Sequence, residues 1–293
     1  NNDLAVVPLT QAKKIPFIST AAADQIVHAG GTLDGAVLSN VFQTPPSAAR
    51  VGERLLQYMR DQGLAKMAIA HDSQSAFADS GTSAMKSTAG KYGITFVADE
   101  TFETSQTQYQ TMMAHIRASG AQGIMVWGTG TPPPLITHAW AAAGLKIPLM
   151  FSHASASTQF VKAVGQDGEG VIVGTSVATI GQSLPDSFPS KKEITAMATT
   201  FQQKNGYYPP EFAFNAYAAV KLLSQGIKNA NSVQPKKIDD ALNSLSLNTA
   251  GGNFRYSKTD HYGIGIDWAA VAVIKGAQLV PTDFSLKTLQ SGK

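Results

Sequence analysis

The side chains best suited to chemistry lie in one stretch, Gly123 to Ser157, GIMVWGTGTPPPLITHAWAAAGLKIPLMFSHASAS. Thr129, Gly130 and Thr131 form a hydroxyl-bearing tip after one apolar run, and His153 stands in a second tip, Ser152-His153-Ala154-Ser155, after another. Hydroxyls and imidazole can hold a polar ligand by hydrogen bonds. No GxSxG elbow, paired catalytic carboxylates or Ser-Lys motif accompanies them, which lowers the expectation of an enzyme. The six histidines, at 28, 71, 115, 138, 153 and 261, show no HExxH spacing, so neither a metal nor a cofactor is expected. His115 and His138 fall inside helices and His71 beside Asp72 suits a structural hydrogen bond; only His153 joins a strand end to small neighbours.

Both tips are positioned by a strand, a helix and a strand. Gly123 to Trp127 reads as a short buried strand, and Pro133 to Ala143 as a helix with apolar Leu135, Ile136, Ala139, Trp140 and Ala143. Pro148 to Phe151 reads as the second strand. Carboxyl ends of strands are where open α/β sheets bind ligands, so both tips should face one cleft. Thr131 is an N-cap candidate ahead of three prolines, and the first helical turn there should favour an anion. GTGT lacks the Gly-Lys-Ser/Thr ending of a phosphate loop, which argues against a nucleotide.

Around this unit the chain alternates. A helix from Ala48 to Asp61 precedes strands starting near Lys66, Ile94, Gly123, Ile147 and Gly170, with helices at 80–92, 108–119, 133–143 and 158–164 between them. That spacing predicts a parallel sheet with right-handed crossovers. Before it come the remainder of a helix in residues 3–12, strands at Ile15 to Ser19 and Ala36 to Gln43, and the small residues Thr20-Ala21-Ala22-Ala23, which let a ligand approach the backbone. After it, helices are expected at Pro189 to Asn205, Glu211 to Asn229 and Lys236 to Leu245, and strands at Gly252 to Ser257 and Gly263 to Ile274. The helical block has too few strands for a sheet of its own and should complete the lobe opened by the first residues. The expected organisation is residues 1–45 plus 177–267 as one lobe and 46–176 plus 268–293 as the other, with crossovers near Pro45, Ser176 and Asp267.

Composition limits the partners. At 293 residues and 43% hydrophobic the chain can bury a large core, while charged residues reach only 15%, below the usual figure of about a quarter. The net charge of +3 is spread over isolated lysine pairs and forms no nucleic-acid stripe. There is no cysteine, which removes disulfides and thiolate chemistry. No apolar run approaches the roughly 20 residues of a membrane helix, so direct membrane insertion is not expected.

The ordered pieces LAVVPLTQAKKIPFIS, VFQTPPSAARVGERLLQYM, KMAIAHDSQSAFADSG, GIMVWGTGTPPPL, VKAVGQDGEGVIV and YYPPEFAFNAYAAVKLL together resemble the type I periplasmic solute-binding proteins of ABC transporters, in the branched-chain amino-acid-binding branch. GTGTPPPL, MFSHASASTQFVKAVG and SLPDSFPSKK look most like members that bind aromatic carboxylates such as benzoate derivatives. The resemblance implies a two-lobed α/β fold, with parallel sheets flanked by helices in each lobe, and a periplasmic or extracytoplasmic location. It implies a carboxylate ligand and a membrane permease as partners. It carries ligand contacts onto Ala21, Ala22 and Ala23, Phe77, Thr129 to Thr131 and Phe212. His153 falls where amino-acid binders place an acid that receives the ammonium; since imidazole brings no negative charge, the ligand should lack an α-ammonium. Family members open with further β-α units, so the chain is expected to lack an amino-terminal part, leaving Leu4 and Val7 without their usual partners.

Two functions compete with capture of an aromatic acid for an importer: binding of branched-chain amino acids, and ligand sensing in a receptor. A two-domain enzyme is the alternative from another class.

Overall fold

A computed structural model describes residues 2–188 and 190–291. The predicted helix start at Pro189 lies outside them. Helix α1 (Asn2–Lys13) leads to the short strands β1 (Phe17–Ser19) and β2 (Val41–Gln43), which pair in parallel. Next come α2 (Ala48–Asp61), β3 (Lys66–Asp72), α3 (Ala76–Thr88), β4 (Thr95–Phe102), α4 (Gln110–Ala118), β5 (Gly123–Trp127), α5 (Pro132–Ala142), β6 (Leu149–Phe151), α6 (Thr158–Val164) and β7 (Ile172–Ser176). The helical block is α7 (Lys191–Asn205), α8 (Glu211–Ala230) and α9 (Pro235–Leu242), followed by the hairpin β8 (Ser246–Thr249) and β9 (Gly252–Arg255). The chain closes with β10 (Ala269–Lys275), β11 (Gln278–Pro281) and α10 (Asp283–Ser291).

The large sheet has the order β11-β10-β7-β6-β5-β3-β4. Its β3 to β7 core is parallel, as the alternation predicts, but the whole sheet is mixed: β10 runs antiparallel to β7, and β11 to β10. The register explains the reversal. Ser176, the last residue of β7, pairs with Ala269, the first of β10. The chain therefore re-enters at the edge where it left, and can only run back.

Period-two alternation sorts the sheet's side chains onto two faces. Met67, Ile69, Met125 and Trp127 pack with Val51, Leu55 and Met59 of α2 and Met85 of α3. Ala68, Ala70, Ile124 and Val126 pack with Met112 and Ile116 of α4, Ile136 of α5 and Phe160 of α6. A third cluster joins Phe42 of β2 to Val177, Ile194, Phe214, Leu222 and Phe254, so the helical block buries its apolar faces against β2.

The first residues differ from the sequence reading in two respects. Strand β2 covers only Val41–Gln43 rather than 36–43, because Ala36 and Leu38 bond back to Ala29 and Val27 in a loop. Val7 is buried with Ile26, Val27 and Val41, and Leu4 packs on the same cluster, so neither lacks partners. Asp24 ties this region to α2: its carboxylate accepts the Ala48 and Ala49 N–H groups at 2.8 and 3.0 Å. Burial nonetheless pushes its pKa up to about 6.

Candidate functional site

His153 opens a single 3-10 turn immediately after β6, and the residue is 3% exposed. It meets Phe77 edge-on, with ring centroids 5.2 Å apart, and Trp127 edge-on at 6.2 Å. Phe77 and Trp127 lie 5.3 Å apart, so the imidazole is boxed by two aromatic rings. Neither ring nitrogen has a hydrogen-bond partner. Burial lowers the pKa to about 3, so the imidazole is neutral at pH 7 and offers one N–H donor and one acceptor.

The box is assembled from the helix side. Ser75 caps α3 by accepting the Ala78 N–H at 3.3 Å, which sets Phe77 in the first turn. One turn later stands Gly81. A Cβ there would lie 2.3 Å from the Trp127 ring, so only glycine lets α3 settle this closely on β5. Trp127 is fully buried and its indole N–H points at Met85 Sδ, 3.2 Å away. The ring that packs into the core therefore also walls His153.

Ala21 and Ala23 join this neighbourhood through the cluster of Val7, Ile26 and Val41, on which Phe77 also packs. Ala22 between them is half-buried. The Gln43 amide holds the segment by donating from Nε2 to the carbonyls of Ala21 and Ala23. Those two acceptors fix the amide's orientation, leaving Gln43 Oε1 buried with no partner.

Other expectations are not met. Thr129, Gly130 and Thr131 are exposed and line an open cavity of about 400 Å³ with Ala154, Ser155, Gln159 and Phe160. The two tips are neighbours, as predicted, but that cavity is not lined by the His153 ring. Thr131 sits at the N-cap position of α5 without a side-chain cap bond. Nor does this helix end suit an anion: its first three residues are Pro132, Pro133 and Pro134, which have no N–H to present. Phe212 is 53% exposed on α8, while Phe214, two residues on, is fully buried in the core.

The sequence reading gave no site role to Glu211, Ser176 or Gln43, and named Ser152 only as part of the tip that holds His153. Glu211 stands first in α8 and is 2% exposed. Its Oε2 accepts the Ser176 N–H at 3.2 Å, and its own N–H points to the Ala156 carbonyl at 3.5 Å. Oε1 has no partner, nor do Ser176 Oγ and Ser152 Oγ. Burial raises its pKa to about 8, against the opposing Ser176 N–H. An acid after Pro209-Pro210 looks like an ordinary helix start, favoured by the macrodipole; no local signal marks its burial. Of eight buried, unpartnered side-chain atoms among the described residues, six belong to Gln43, Ser152, His153, Ser176 and Glu211. These residues lie at the carboxyl ends of β2, β6 and β7 and at the start of α8. That is the ligand-binding end of parallel strands.

Among the described residues no cluster of His, Cys, Asp or Glu could hold a metal, and no helix is long and apolar enough to cross a membrane.

A mixed sheet flanked by helices, with buried polar groups gathered at its strand ends, defines an α/β ligand-binding protein. Comparison with known proteins narrows this: the periplasmic binding protein family profile matches residues 2–277, and the chain belongs to that family. A leucine-, isoleucine-, valine-, threonine- and alanine-binding protein of Pseudomonas aeruginosa is 22% identical over 192 residues, covering 66% of this chain and 49% of the relative. The chain thus spans about half that relative's length. The fold is that of type I periplasmic binding proteins. An extracellular ligand-binding receptor from Rhodopseudomonas palustris HaA2 superimposes with a TM-score of 0.86 at 20% identity, over 96% of this chain and 79% of the other. A solute-binding protein of an ABC transporter from R. palustris, solved with benzoate, gives 0.80 at 22% identity, over 95% and 73%.

Proposed function

We propose that the chain is an extracytoplasmic solute-binding protein that captures a small aromatic carboxylate and delivers it to the membrane permease of an ABC importer. Residues 1–45 with 177–267 and residues 46–176 with 268–293 act as two lobes that close on the solute, moving about the crossovers near Pro45, Ser176 and Asp267. The observation that carries this reading is His153, buried, neutral and unpartnered between Phe77 and Trp127. Its N–H can donate to a carboxylate oxygen, a bond worth roughly 1.5–3 kcal/mol, while the aromatic walls pair with a planar ring for about 0.5–1.5 kcal/mol. The benzoate complex of the similar R. palustris protein supports the same ligand class.

A second reading is branched-chain amino-acid binding, supported by the Pseudomonas relative and by one finding here. Glu211 is a buried acid with a free oxygen, and so could receive an ammonium that His153 cannot. The absence of an acid at position 153 therefore does not by itself exclude an amino acid. Calorimetric titration of the chain with benzoate and with leucine separates the readings. Micromolar or tighter benzoate binding is expected; tight leucine binding with no benzoate binding overturns the aromatic assignment.

A further inference from the structure

We propose that Glu211 contacts the solute as a protonated carboxylic acid, donating its own hydrogen to the solute carboxylate, so that capture is coupled to retention of one proton. The proposal rests on the carboxylate-binding reading above, and assigns that site a donor from α8.

Geometry sets the roles of the two oxygens. Oε2 accepts the Ser176 N–H at 3.2 Å and so acts as the carbonyl-like atom. The hydrogen of the neutral acid then sits on Oε1, which is buried and has no partner within the protein. Beside it, Ser176 Oγ is also buried and unpartnered, and the turn from Ser152 and His153 reaches the same place through the Ala156 carbonyl, which faces the Glu211 N–H at 3.5 Å. A carboxyl this deeply buried, with one N–H on one oxygen, cannot readily carry a charge: desolvation of the anion outweighs a single hydrogen bond. Desolvation is the largest cause of its raised pKa, about 8, and the Ser176 N–H is the opposing one. His153, in the turn that Glu211 meets through Ala156, is held neutral by burial, and Tyr208, just before α8, has its phenol held protonated by burial; α9, which packs along α8, carries Lys236, Lys237, Asp239 and Asp240.

A buried site for an anion needs donors. Ser152 and Ser176 hydroxyls, the His153 N–H and the Glu211 O–H are four neutral donors, none engaged by another protein group. A solute carboxylate gives each a partner without an ionised protein group. A second carboxylate at Glu211 would repel it. Proton and solute therefore favour each other at this site, and ionisation of Glu211 must weaken binding.

The test is calorimetric titration of benzoate between pH 6 and 9, on the wild type and Glu211→Gln. Glutamine mimics the protonated acid: its carbonyl can take the Ser176 N–H while its amide donates where Oε1 stood. Wild-type affinity should hold from pH 6 to 7 and fall about tenfold from pH 7 to 9. At pH 9, where the wild type is largely ionised, Glu211→Gln should bind benzoate more tightly than the wild type does, and its affinity should change less than twofold from pH 7 to 9. At pH 8, wild-type heats in buffers of different ionisation enthalpy should show net proton uptake, a readout that needs no variant. A wild-type affinity independent of pH, no proton uptake, or a loss above tenfold in Glu211→Gln at pH 7 overturns the proposal. If leucine binds and benzoate does not, the aromatic reading falls while the role of Glu211 is still decided. An ionised Glu211 receiving the ammonium would make Glu211→Gln lose leucine, which overturns the proposal; retention of leucine supports it. Binding of neither probe overturns both.

Discussion

His153 and Phe77 come from different halves of the large sheet's architecture, a strand end and the first turn of a helix, yet their rings meet edge-on at 5.2 Å with planes 75° apart. Phe77 also packs on the cluster holding Ala23 and Val41, so one side chain links the imidazole to the segment of Ala21 to Ala23. The ring contact is apolar; both imidazole nitrogens are left to a ligand.

Replacing His153 by Leu should separate stability from binding. Leucine preserves most of the volume and removes two buried polar atoms that have no partner, so the melting temperature should not fall. Benzoate affinity should drop by about tenfold to a hundredfold, the loss of one hydrogen bond to a charged group. Unchanged affinity by calorimetry would remove His153 from the site.

Gly81→Ala places a methyl into the Trp127 ring and should force α3 away from β5. Overpacking of this kind costs about 1–3 kcal/mol. Urea unfolding measures the loss, and binding should weaken too, because Phe77 lies one turn away on the same helix. A neutral Gly81→Ala variant would show that Trp127 can repack freely.

Thr131→Ala should leave stability within about 0.5 kcal/mol, since Thr131 makes no capping bond and the three prolines after it leave no N–H to cap. A working N-cap would cost about 1 kcal/mol when removed. Denaturant unfolding distinguishes the two.

Stability should fall as pH rises toward 8. Glu211 ionises near 4.5 when unfolded and near 8 when folded, so across that interval this group holds more protons in the folded chain and its contribution falls with each rise in pH; buried His153, held near 3, works in the opposite direction only up to its unfolded value of 6.5. Asp24 and Asp239, raised to about 6, have largely finished titrating by pH 7. Between pH 6.5 and 8 the wild type should lose on the order of 1–2 kcal/mol and Glu211→Gln much less. Equal pH profiles for the two proteins in urea titrations would show that Glu211 does not titrate with folding.

Local patterns alone determined much of this protein. The apolar periodicity of α2 and the uninterrupted run Gly123 to Trp127 specify their elements, because residues a few positions apart share one face and one burial cost. The placing of His153 at a strand end followed from that pattern. Tertiary structure decided the rest. Strand β10 runs antiparallel because its first residue must meet Ser176, a pairing that no local window contains. Glu211 and Ser176 are 35 residues apart, and Gln43 and Ala23 are 20 apart. A carboxylate or an amide declares nothing about its burial from its neighbours in sequence; the fold sets how much water it loses, and with it the charge it can carry and the atom it has left for a ligand.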